Sequence, residues 1–174
     1  SLCYLTALVR DQHRRSVVVS VDPNTTHRGV SSPQSHVLAL LDHYGLLSNS
    51  LIIPGYTLEQ TFGELGAPDQ SDLSEGLACA EALASLAALR AAPFDVVLID
   101  GNHDAAYLRR ELAALRPLMS DGAVLVFDDI AEWDGVREVF QRVLEDERCA
   151  DLGQDGRLGI VALGAGTEER TVTG

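Results

Sequence analysis

Two short apolar runs that end in acids constrain this chain more than anything else in it. One is Phe94-Asp-Val-Val-Leu-Ile-Asp-Gly-Asn-His-Asp104, the other Ala123-Val-Leu-Val-Phe-Asp-Asp-Ile130. Continuous runs of Val, Ile, Leu and Phe suit parallel strands buried on both faces. Asp100 then stands at the carboxyl end of the first strand, Asp128 and Asp129 at that of the second. Ligands of open α/β sheets sit beside the carboxyl ends of the strands. Carboxylates gathered there, with His103 next door, repel one another unless protons or a cation intervene. Mg²⁺, a hard ion that prefers oxygen ligands and keeps several waters, is the natural candidate.

At 174 residues the chain fits one domain, residues 1–174, with a sizeable core. Its formal charge of −13 argues against a nucleic-acid partner, whose phosphates need Lys and Arg. No apolar run reaches the ~20 residues of a membrane helix, and no secretory pattern opens the sequence. Cys3, Cys79 and Cys149 lack metal-ligand spacing, so free thiols in a reducing cytoplasm are expected. The sequence does not set the oligomeric state, and a homo-oligomer stays open.

Strand and helix signals alternate along the chain. Periodicity predicts a helix over 1–14, with Leu2, Leu5, Leu8 and Val9 on one face. A strand over 16–22 ends in Asp22 and is broken by Pro23-Asn24. A helix over 34–44 carries Val37, Leu40, Leu41 and Tyr44 and stops at Gly45. Residues 50–54 form a short strand, 63–72 a loop, and 73–91 an Ala- and Leu-rich helix. A helix over 105–116 faces inward through Leu108, Leu112 and Leu115, and Pro117 limits it. Another over 132–146 does so through Trp133, Val136, Val139, Phe140 and Val143. Residues 159–163 read as a late strand after an Asp155-Gly156 hairpin turn. The expected architecture is α/β: a doubly wound, Rossmann-like, mostly parallel sheet with helices on both faces and an antiparallel strand at its edge.

Gly101-Asn-His-Asp104, with Asp11-Gln-His13 upstream, resembles part of a metallophosphoesterase pattern. That family's Gly-Asp-x-x-Asp and Gly-His-x-His are absent from the chain. Asp22 stands where nucleotide-binding α/β domains place a carboxylate on ribose hydroxyls, though an Asp-Pro after a strand also reads as a plain turn.

The wider resemblance joins Val19-Ser-Val-Asp22, residues 94–103 and Leu118-Met-Ser-Asp-Gly-Ala-Val-Leu-Val-Phe-Asp-Asp129. Together they resemble class I S-adenosylmethionine-dependent methyltransferases, and most closely the small-molecule O-methyltransferases related to catechol and macrocin O-methyltransferases. The resemblance implies that Asp22 holds the donor's ribose and that Tyr56 and Thr57 lie near its adenine. It implies that Asp100, Asp128 and Asp129 hold Mg²⁺ or another divalent cation, with Asp100 also counted in the donor set. The family's glycine-rich loop should precede the first helix, yet the first glycine is Gly29. The family's N-terminal strand and loop are therefore expected to be missing, by truncation, by supply from elsewhere, or with loss of donor binding.

Imidazoles titrate near neutral pH, so His103 is the candidate general base; orienting Asp100 or capping the next helix is its plainer role. Trp133 lines a substrate mouth or joins the core. The remaining histidines read as surface or loop residues. The expected activity is Mg²⁺-assisted methyl transfer from S-adenosylmethionine to the hydroxyl of a small molecule. A donor-free scaffold on the same sheet, or a metal-dependent hydrolase, is the alternative.

Overall fold

A computed structural model describes residues 2–12, 15–24, 29–58, 83, 86 and 92–164. The loop expected over 63–72 lies outside the described residues. So does the helix expected over 73–91, except for Leu83 and Leu86, which are helical and buried. The chain divides into two compact units, residues 1–85 and 86–174.

In the first unit, α1 (Leu2–Gln12) precedes β1 (Val18–Asp22), and α2 (Pro33–His43) leads to β2 (Ser50–Pro54). β1 and β2 pair in parallel, Val18 opposite Ser50 through Asp22 opposite Pro54. Gly45, at φ +63°, ends α2 where a side chain would be strained. Its N–H donates to the carbonyl of Asp42, and that of Leu46 to Leu41, at 3.0 and 2.7 Å. Leu41 and Leu46 are both buried, which supplies the apolar contact such a stop prefers. The expected apolar stripes are narrower than the sequence suggests. Leu8, Leu40 and Tyr44 are exposed, and the fully buried side chain of α1 is Thr6. Helical spacing marks a face, but only the part that meets β1 and α2 is covered.

The second unit holds β3 (Phe94–Ile99), α3 (Ala105–Leu115), β4 (Met119–Phe127), α4 (Asp134–Leu144), β5 (Cys149–Gln154) and β6 (Gly159–Leu163). The sheet order is β3-β4-β6-β5; β3 and β4 are parallel, the other neighbours antiparallel. This is the mixed Rossmann-like arrangement with antiparallel strands at one edge. Ile99, Ala123, Leu125, Phe127, Val161 and Leu163 are buried, as are Leu108, Leu115, Val136, Val139 and Phe140 on α3 and α4. The rings of Phe127 and Phe140 meet edge to face at 5.6 Å.

The opposite face departs from strands buried on both sides: Val96 is 64% exposed and Leu98 42%. β5 was not legible, since Cys-Ala-Asp-Leu-Gly-Gln is poor in strand formers. It forms because β6 needs a partner on its outer edge, and it takes an irregular register between Asp151 and Gly153 to do so. Among the described residues no helix is long and apolar enough to cross a membrane.

Candidate functional site

In the first unit, Asp22 closes β1 and sits in a locked turn. Its Oδ1 accepts the N–H of Asn24 at 2.6 Å, and its carbonyl accepts Gln34 Nε2 at 2.6 Å and Gly55 N–H at 3.0 Å. Asn24 takes the left-handed φ of +57°, and its Oδ1 accepts the N–H of Gln34 at 2.9 Å. The turn role and the ligand role are thus compatible. One carboxylate oxygen holds the turn, while the other has no hydrogen-bond partner among the described residues and is free to accept from a diol. The β1–β2 register sets Asp22 opposite Pro54, so Gly55, Tyr56 and Thr57 follow β2 at the same end of the two strands.

In the second unit the parallel register sets Ile99 beside Phe127, so Asp100 and Asp128 leave the sheet side by side. The N–H of Asp128 still donates to the carbonyl of Ile99 at 3.0 Å, which extends the ladder by one residue. Asp129 then turns the chain at φ +62°, a conformation that costs a non-glycine residue on the order of 1 kcal/mol. Its carbonyl accepts the N–H groups of Glu132 and Trp133, both at 3.1 Å, which stabilises the turn.

His103 is fixed on three sides. Asp104 caps α3 by accepting the N–H of Tyr107 at 2.8 Å, and Asn102 accepts the N–H of Asp104 at 2.8 Å. The capping role thus falls to Asp104, leaving the imidazole for other work. Its ring stacks on Trp133, centroids 4.6 Å apart and planes 7° apart. Its Nε2 lies 3.6 Å from Asp129 Oδ2, too long for a direct hydrogen bond. Trp133 is half exposed at the N-cap of α4, so it is a platform beside His103 and not the inward-facing core residue its spacing suggested. Gly135 permits this arrangement, because a Cβ there would lie 2.2 Å from the His103 carbonyl oxygen and 3.0 Å from Ala105 N.

Two arginines escaped the sequence reading. Arg137 braces the acidic turn: it donates to the carbonyls of Ile130 and Ala131, at 3.1 and 2.6 Å, and to Asp134 at 2.7 Å. Arg157, from the β5–β6 turn, grips Asp128 with two N–H donors at 2.5 and 2.7 Å and reaches Asp129 Oδ1 at 3.2 Å. The Asp-Gly signal located that turn but not the direction of its arginine.

The guanidinium of Arg157 holds the Asp128 carboxyl below its ordinary range. Asp100 moves the other way. Burial raises its carboxyl, and the charges of Asp128 and Asp129 raise it further against the pull of Arg157 and His103. The three carboxylates are therefore neighbours electrostatically, as expected, but the cation that meets two of them is Arg157. Among the described residues no His, Cys, Asp or Glu group is arranged to hold a metal ion.

A consequence follows for stability. A carboxyl raised in the folded chain resists ionisation there, so above its folded pKa it costs stability that is not lost below the unfolded value of about 3.9. Asp100→Asn should raise the melting temperature at pH 7, by an amount that solvent screening keeps small. The gain should shrink as pH falls toward about 4. Thermal melts across that range check it, and a gain independent of pH would remove charge repulsion as the cause.

A cavity of about 210 Å³ lies at the other end of β4, against Leu112, Met119, Val139 and Cys149. Asp100, Asp128 and Asp129 are not among the residues that line it.

No curated protein matches the chain. Among solved structures, the apo form of CalS11, a TDP-rhamnose 3'-O-methyltransferase of calicheamicin biosynthesis, is similar at TM-score 0.64 and 16% identity, over 94% of this chain and 66% of that one. TomG, an O-methyltransferase from Streptomyces achromogenes solved with S-adenosylmethionine, gives 0.60 and 16%, over 93% and 68%. MycE, a methyltransferase of the mycinamycin pathway solved with Mg, S-adenosylhomocysteine and mycinamycin VI, gives 0.53 and 20%, over 98% and 51%. The chain thus spans half to two thirds of the length of these structures, and at such identities the likeness establishes the fold. A family model described as a methyltransferase domain matches residues 1–130. That match covers most of the chain and ends just past Asp128 and Asp129, so the chain belongs to this methyltransferase-domain family.

Proposed function

We propose that the chain transfers a methyl group from S-adenosylmethionine to a hydroxyl oxygen of a small molecule. The observation that carries the proposal is His103, held between Trp133 and Asp129 in a chain of the methyltransferase-domain family. When bound, S-adenosylmethionine supplies an electrophilic methyl group on a sulfonium and departs as a neutral thioether. Asp22, with one oxygen spoken for by its turn, offers the other to the ribose hydroxyls. Tyr56 and Thr57, which follow β2 at the same end of the strands, flank the adenine. His103 takes the proton of the attacking hydroxyl, and Asp129, 3.6 Å away, stabilises the imidazolium that results. The stack on Trp133 keeps the imidazole in one plane, so proton acceptance costs no reorientation.

The Mg²⁺-assisted form expected from the sequence would use Asp100, Asp128 and Asp129 as oxygen ligands. The residues as arranged do not fit that ion, because Asp128 gives both of its oxygens to Arg157. No step is therefore routed through a metal.

CalS11 acts on TDP-rhamnose, which favours a sugar hydroxyl as the acceptor class. The free thiols of Cys3 and Cys149 suit a cytoplasmic location. Incubating the chain with donor labelled in its methyl group, against a panel of nucleotide sugars, glycosides and phenols, tests the assignment. Label in an alkali-stable ether is expected. Label found only in amines or carboxyl esters would replace the hydroxyl reading.

A further inference from the structure

We propose that Arg157 is the built-in cation of the acidic cluster and holds the position that the sequence assigns to a divalent metal. The inference deepens the methyltransferase reading and rests on it only for which site is meant. Three of the four oxygens of the acidic pair already meet Arg157. Asp128 Oδ1 accepts Arg157 Nε at 2.5 Å and the N–H of Asp129 at 2.8 Å, and its Oδ2 accepts the second guanidinium nitrogen at 2.7 Å. Asp129 Oδ1 lies 3.2 Å from Arg157 Nε, and its Oδ2 faces His103 at 3.6 Å. A guanidinium fork matches a carboxylate in this two-point way, whereas Mg²⁺ demands near-octahedral oxygens at about 2.1 Å converging on one point.

The arginine is also placed by its own main chain. Its carbonyl accepts the N–H of Ile130 at 3.0 Å, tying the β5–β6 turn to the residue that follows the acidic pair. That turn is closed by Asp155, which accepts the N–H of Leu158 at 3.0 Å through its side chain and donates its own N–H to the Leu158 carbonyl at 3.1 Å. The side chains of Asp128 and Asp129 are 12% and 14% exposed, and that of Arg157 60%. The pair is thus shielded while the guanidinium stays in contact with water, which keeps the desolvation cost of the ion pair low. Displacing Arg157 would leave two adjacent, shielded carboxylates in want of a cation.

Binding of Mn²⁺ alone, read from loss of the free-ion signal in electron paramagnetic resonance, tests this without any methyl acceptor. The wild-type chain should leave the Mn²⁺ signal unchanged. Arg157→Gln should gain affinity by roughly tenfold or more, the scale on which neighbours of metal ligands act. The further change Asp128→Asn should abolish the gain. Arg157→Met, which keeps the aliphatic stem, serves should the glutamine chain fail to fold. Tight Mn²⁺ binding by the wild type, lost in Asp128→Asn, would overturn the proposal, as would arginine variants that gain nothing. Either result is separable from failure of the functional reading, which calorimetry with S-adenosylhomocysteine reports independently.

Discussion

Replacing His103 with glutamine should lower kcat for methyl transfer by a factor of about 10²–10⁴, the usual contribution of a positioned general base. Glutamine keeps polarity and approximate length but cannot accept a proton near neutral pH. Donor affinity should be unchanged, because His103 is assigned to the acceptor's proton and not to the donor. If His103 merely braces Asp129, turnover would instead survive.

Gly135→Ala should be the most damaging single-methyl change near the acids. Its sign separates two physical arguments. Helix propensity alone makes alanine better than glycine by about 1 kcal/mol within α4. The added Cβ, however, would lie 2.2 Å from the carbonyl oxygen of His103 and 3.0 Å from Ala105 N, both main-chain atoms unable to swing aside. Overpacking against backbone costs about 1–3 kcal/mol or more. The net expectation is a destabilisation of roughly 2 kcal/mol, a drop in melting temperature on the order of 5 °C, together with impaired turnover as the His103 segment shifts. A thermal melt decides it: an unchanged or higher melting temperature would mean that α4 and the 103–105 segment sit farther apart than described.

The sequence disclosed the strands that matter because their signal is local. Phe94–Ile99 and Ala123–Phe127 are apolar runs that can hardly avoid the sheet, and their terminal acids fix where Asp100 and Asp128 emerge. Gly45 declared a helix end by chemistry that operates within a few residues, whereas the cap of α3 is Asp104 and not His103, for which capping was the plainer role. What stayed hidden depends on partners distant in the chain. Arg157 meets Asp128 across 29 positions, and no local pattern distinguishes it from any other arginine in a turn. Trp133 has helical spacing with Val136 and Phe140, but it stands one residue before α4 begins, where a side chain need not follow the buried stripe. β5 is a strand by virtue of β6, not of its own composition. The acidic pair itself was legible; that it would meet a guanidinium was not.

The central claim is that the acid closing β1 receives the methyl donor. Calorimetric titration of the chain with S-adenosylhomocysteine tests it most directly, using Asp22→Asn as the comparison, since asparagine can still accept the Asn24 N–H and preserve the turn. The account predicts one-to-one binding by the wild-type chain, weakened by about tenfold or more in Asp22→Asn, in keeping with loss of charge-assisted hydrogen bonds. No heat of binding from a folded wild-type chain, or equal affinities for the two, would contradict it.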